Sequence, residues 1–144
     1  MRVSELMRTP PVVCQPSAPL HAVARLMAVR DVGSVVVVDN VGYVCGIVTD
    51  RDIAVRGVGE GHSADVAVET VMTRDVAVVR PSSDLAEAAA VMQKQGVRRV
   101  PVVDDMGKLH GVIAMDDLFR QVSHETDTLT DALLSQTDHL RHAG

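Results

Sequence analysis

Val35-Val36-Val37-Val38-Asp39-Asn40-Val41-Gly42 returns 65 residues later as Val100-Pro101-Val102-Val103-Asp104-Asp105-Met106-Gly107. Each stretch is a β-branched apolar run followed by an Asp and, three residues on, a Gly, the pattern of a strand entering a tight hairpin turn. Outward from this pair the same shift aligns residues 3–56 with 68–121 without a gap, and sixteen positions are identical. Met7 matches Met72, Pro16 matches Pro81, Leu20 matches Leu85, Met27 matches Met92, Gly46 matches Gly111 and Asp52 matches Asp117. In a chain with 28 valines some Val matches arise by chance. Gly, Pro, Met and Asp matches in one ungapped register do not.

Each copy reads as β-α-β-β-α. Residues 12–14 and 76–79 are short apolar runs ahead of Pro16 and Pro81, which predicts a buried strand in each copy. Leu20, Val23, Ala24 and Met27, matched by Leu85, Ala88, Ala89 and Met92, fall at i, i+3, i+4 and i+7 and predict a helix. Ser82, Ser83 and Asp84 suit its start in the second copy, and Gly96 suits its end. Strands are predicted at 34–38 and 43–49, and a second helix begins near Asp50 and near Asp116. Past Val122, Leu129, Leu133 and Leu140 keep a helical period and predict a tail helix over 125–141. The fold class is therefore α/β (α+β): repeat one over 1–57, a Gly-rich linker over 58–67, repeat two over 68–122 and a C-terminal helix over 123–144. One copy of about 55 residues buries too little surface for comfortable stability, so the two should pack together with pseudo-two-fold symmetry.

The 144 residues carry 14 Lys+Arg against 19 Asp+Glu, a net charge of −5, with a single Tyr, a single Phe and no Trp. That balance argues against nucleic acid, which needs a cationic field or stacking rings. The valine run at 35–38 is far too short to span a bilayer, and residues 1–11, with Glu5 and Pro10, lack the apolar centre of a secretory signal, so a cytoplasmic protein with no membrane contact is expected. Cys14 and Cys45 are too few for a disulfide framework and read as small packing residues.

Thr49-Asp50-Arg51-Asp52 lies where a strand turns into a helix. A hydroxyl and free backbone amides converge there on a positive helix end, which suits an anion. Asp52 can accept from a vicinal diol, and Arg51 can offer a fork of donors to phosphate. The competing reading needs no ligand: Thr49 is an N-cap and Asp52 its reciprocal partner. The residues alone leave both open.

The duplicated motifs Val3-Ser-Glu-Leu-Met7 and Val68-Glu-Thr-Val-Met72, with Gly96-Val-Arg-Arg-Val-Pro-Val-Val-Asp104 and Gly46-Ile-Val-Thr-Asp-Arg-Asp52, resemble the tandem cystathionine-β-synthase domain pair, the CBS pair, over nearly all of the chain except its tail. Thr49-Asp-Arg-Asp-Ile-Ala-Val-Arg-Gly57 and the linker after it are similar to small stand-alone CBS-pair proteins, among them a bacterial hypoxic response protein. The resemblance implies a regulatory, stress-linked protein that holds an adenosyl ligand (AMP, ADP, ATP or S-adenosylmethionine) in clefts between the copies. It implies no required cofactor and no catalysis. Carried over, the first cleft would use Ile47, Thr49, Arg51 and Asp52 facing Asp75, Ala77, Val97, Arg98 and Arg99. The second cleft departs from the pattern: Ala114 stands for Thr49, Gly33 and Ser34 stand for the two arginines, and only Asp117 survives, so it is expected to be weak. Arg98 and Arg99 could instead be solvated or paired with Asp104 and Asp105.

The second helices carry Ile53, Ala54 and Val55 in copy one and Leu118, Phe119 and Val122 in copy two, which predicts a homodimer joined through them. Among the six histidines only His139 and His142 stand at i, i+3, too few for a closed metal site. No nucleophile elbow or Walker loop is present, which leaves two functions: a ligand sensor acting on an unknown downstream protein, or a ligand-free scaffold.

Overall fold

In the computed structural model, which describes the backbone of residues 1–143 and the side chains of residues 1–136, the duplicated pattern becomes duplicated structure. Copy one comprises α1 (Val3–Leu6), β1 (Val13–Cys14), α2 (Leu20–Arg30), β2 (Ser34–Val38), β3 (Val44–Thr49) and α3 (Asp50–Asp52), which continues as a π-helical stretch, Ile53–Val58. Copy two opens on a 3-10 turn, Val68–Thr70, and continues with α4 (Leu85–Gln95), β4 (Arg99–Val103), β5 (Leu109–Ala114) and α5 (Met115–Ala143). The mixed helix and strand content is that expected from the sequence.

Local chemistry sets the element ends. The Asp84 carboxylate accepts the Glu87 N–H at 2.8 Å and caps α4, and Gly96 closes it in the left-handed conformation at φ 65°. The mate of Gly96, Asp31, closes α2 at φ 52°, a conformation that Asp tolerates better than most side chains. In the hairpins one oxygen of Asp39 accepts from Val41, Gly42 and Tyr43, and one of Asp104 accepts from Met106 and Lys108. Gly42 and Gly107 supply the positive φ that completes each turn.

The first strands differ between the copies. β1 pairs in parallel with β2, Val13 opposite Val36 and Cys14 opposite Val37, and β3 lies antiparallel on the far side. The strand expected over 76–79 shrinks to one bridge, Val79 to Val102, beside the antiparallel pair of β4 and β5. Pro101 is the reason. In copy one the Val36 N–H donates to the Val12 carbonyl at 3.1 Å; Pro101 holds that place in copy two and has no N–H to give.

The two cores exchange their opening segments. One packs Leu20, Val23, Met27, Val35, Val37 and Val48 with Val68, Val71 and Met72 from the start of copy two. The other packs Ala88, Met92, Val100, Val102, Ile113 and Leu118 with Val3 from the start of copy one. The backbone repeats the exchange: the Val3 and Ser4 amides donate to Ser83 and Pro81, and the Val68 and Glu69 amides to Ala18 and Pro16. A bridge joins Tyr43 to Lys108, two residues that are each other's mates, so a pseudo-two-fold axis passes between them.

The expected tail helix is the continuation of the second helix of copy two, unbroken from Met115 to Ala143. The side chains of His139, Leu140 and His142 lie outside the described residues. Cys14 and Cys45 are half-buried free thiols, and burial pushes Cys14 up to about 11, so it stays protonated near neutrality. Among the described residues no helix is long and apolar enough to cross a membrane.

Candidate functional site

Two bridges build the clefts. The residue after each opening turn pairs with the last strand of the other copy: Arg8 with Val112, and its mate Thr73 with Ile47, each through two hydrogen bonds of 2.9–3.2 Å. Side chains cannot crowd this crossing. A Cβ on Gly46 would lie 2.6 Å from the Thr73 carbonyl oxygen, and one on Gly111 would lie 2.7 Å from that of Arg8. The segment after each crossing therefore runs beside the strand-to-helix junction of the opposite copy.

At the first junction Thr49 and Asp52 hold each other. The Asp52 N–H donates to Thr49 Oγ1 at 3.1 Å, and the Thr49 N–H to Asp52 Oδ2 at 3.0 Å, a reciprocal cap at the start of α3. Among the described residues Asp52 Oδ1 and the Arg51 guanidinium have no protein partner, so an acceptor and a cation remain available there. Ile47 is buried and bonded to Thr73, two residues before exposed Asp75 and four before half-buried Ala77. Val97 is half-buried and packs on the second core.

The mate of this junction borders a cavity of about 450 Å³, lined by Pro10 and Val12, by Val32, Gly33 and Ser34, and by Val112, Ala114 and Asp116. Shifted by 65, those positions are Asp75, Ala77, Val97, Arg98, Arg99, Ile47, Thr49 and Arg51. The cavity thus lies on the side where the sequence offered least polar chemistry, and of the residues expected in the first cleft only Arg99 lines it.

The expectation that this second side lacks guanidiniums is corrected by the structure. Arg8, Arg30 and Arg99 all line the cavity. Arg99 reaches it over the face of Gly33, its Nη2 2.7 Å from where a Cβ on that residue would stand. Arg98 is drawn the same way, its Nη2 3.2 Å from Asp116 Oδ1. The pairing with Asp104 and Asp105 does not form, since Asp104 holds His110 at 2.8 Å and Asp105 holds Arg80.

Asp117 is 7% exposed and its oxygens are occupied. Oδ1 accepts from Arg120 at 3.0 Å and Arg8 at 3.4 Å, and Oδ2 from the Ala114 N–H at 3.1 Å. Arg8, Arg30 and Arg120 were missed in the sequence because none stands at a repeat match, and Arg8 reaches Asp117 from 109 positions away. Arg120 was within reach of sequence reading, since it stands three residues after Asp117 on one helix face. Among the described residues no three His, Cys, Asp or Glu side chains are placed to hold a metal.

The CBS domain family matches residues 3–58 and 68–124. The CBS domain-containing protein YhcV of Bacillus subtilis is 33% identical over 125 residues, covering 86% of this chain and 88% of its own. The CBS domain protein PAE2072 of Pyrobaculum aerophilum, solved in complex with AMP, is 31% identical at a TM-score of 0.76, covering 82% of this chain and 90% of that one. Hypoxic Response Protein I shares the fold, with a TM-score of 0.76 at 24% identity over 83% of this chain and 98% of that one. Two matched copies, exchanged opening turns and a cleft between them make this chain a member of the CBS domain family, built as a tandem pair.

Proposed function

We propose that this chain is a regulatory CBS pair that binds an adenosyl ligand (AMP, ADP, ATP or S-adenosylmethionine) between its copies and passes that occupancy to a partner protein. The cavity between the copies carries the reading: about 450 Å³, within the roughly 300–1,000 Å³ of small-molecule sites, at a place where strands turn into helices. PAE2072, similar over most of both chains, is solved with AMP, which supports an adenosyl ligand here. The first cleft would offer Asp52 Oδ1 to a ribose diol and Arg51 to phosphate, with Ile47, Asp75, Ala77 and Val97 around the base, whereas Arg98 and Arg99, expected on its phosphate side, turn toward the second. The second would hold phosphate through Arg8, Arg30 and Arg99. A ligand gripping both copies shifts their relative angle only if it binds one angle more tightly. The chain acts as a homodimer in the cytoplasm and performs no chemistry itself.

A second reading is a ligand-free scaffold, favoured by the Thr49–Asp52 cap, which is complete without any ligand. Thermal-shift titration with AMP, ADP, ATP and S-adenosylmethionine separates the two, because a ligand at 100 times its dissociation constant adds about 2.7 kcal/mol of stability. A rise in Tm with at least one supports the sensor; no rise with any supports the scaffold.

A further inference from the structure

The 29 residues of α5 extend about 43 Å at 1.5 Å per residue, and only the first turns are anchored. Met115 and Leu118 pack on the second core, whereas every residue from Val122 to Gln136 is exposed on this chain. The exposed stretch contains Ser123, Thr126, Asp127, Thr128, Thr130 and Asp131, all weak helix formers. A helix of that composition standing alone in water is marginal, so a partner is called for.

The spacing says what kind of partner. Phe119, Val122, Thr126, Leu129, Leu133 and Gln136 follow at intervals of 3, 4, 3, 4 and 3, and the sequence continues the series to Leu140. This is a 3.5-residue repeat, the seam of a two-stranded coiled coil. Arg120, His124, Asp127 and Asp131 all fall at the outer positions of the heptad, away from the seam. Beside the seam between 118 and 136, Glu125 is the lone charge, and a parallel in-register copy sets Thr130 against it. The same register stacks Thr126 on Thr126 and Gln136 on Gln136, polar layers that fix alignment, and no like charges meet.

We propose that α5 beyond Leu118 pairs with the α5 of a second copy of this chain as a parallel, in-register coiled coil. Sedimentation of the full chain over a concentration series tests it, with Leu129→Lys/Leu133→Lys on the seam and Leu134→Lys off it; Leu134 is 59% exposed, close to the 62% of Leu129. The native chain should be a dimer. The seam variant should raise the dimer dissociation constant by about 100-fold or more, and Leu134→Lys by less than about threefold. A monomeric native chain, an unchanged constant in the seam variant, or equal loss in Leu134→Lys overturns the proposal. Orientation is read by oxidising Leu129→Cys in a Cys14→Ser/Cys45→Ser background: a covalent dimer supports the parallel register, and none forming overturns it. Near-native melting of the seam variant's CBS body shows that the variant is folded.

Discussion

Asp52 and Asp117 are related by the 65-residue repeat and cap their helices with the same oxygen, yet they stand in different company. Asp52 is half-buried, held by one backbone amide, and keeps an oxygen free of protein partners among the described residues. Asp117 is buried under Arg8 and Arg120, with both oxygens taken. A duplicated scaffold preserves the capping geometry, because the backbone needs it in both copies. Whether the carboxylate is left over for a ligand depends on side chains that the backbone does not specify.

The largest expected difference between the copies lies in their opening turns. Met72 is buried in the first core, while its mate Met7 is half-buried against the second. Met72→Ala should cost about 2–5 kcal/mol in urea unfolding, and Met7→Ala distinctly less. Equal losses would break the idea that the exchange is tighter on one side. Gly46→Ala and Gly111→Ala probe the crossings themselves. Each new methyl meets a carbonyl oxygen and a methionine sulfur, so each should cost about 1–3 kcal/mol and loosen its own crossing, seen as faster exchange of the Ile47 or Val112 amide.

The aspartates sharpen the comparison further. Asp117→Ala removes a cap and strands two guanidiniums, for a stability loss of about 1–2 kcal/mol with little effect on adenosyl binding at the first cleft. Asp52→Ala should cost at most about 1 kcal/mol and lose most of that binding by calorimetry. If ligand affinity follows Asp117 instead, the second cleft is the working one.

The smallest effect is a pH dependence confined to copy two. The His110 ring, hydrogen-bonded to Asp104, holds that carboxyl below its ordinary 3.8, helped by the Lys108 amide. A lowered folded value means the stabilisation is complete above pH 3.8 and disappears as pH falls through the lowered value. His110→Ala should move the Asp104 midpoint up toward 3.8 in a carboxyl NMR titration. A midpoint that stays put would assign the shift to the turn amides alone. Copy one has Cys45 at the corresponding place, so it cannot form such a pair.

Much of this was legible because the signals are local or periodic. The valine runs ahead of the two hairpin turns became strands, the i, i+3, i+4, i+7 stripes became α2 and α4, and Asp84, Gly96 and the two Asp-x-x-Gly turns did the capping and turning their chemistry favours. Pro101 was in plain view, but its effect on the first strand follows only once the register puts its missing N–H opposite residue 77. The candidate site was legible in outline, as segments facing each other across a repeat, and not in charge. Arg8 finds Asp117 from 109 positions away, and Arg99 crosses from copy two to lie over Gly33 of copy one. The sequence determined the duplication and the elements, since hydrogen bonding and apolar period act within a few residues. Only the tertiary structure decided which opening turn fills which core and which guanidiniums reach which cleft, because those depend on packing between segments the chain itself does not bring together.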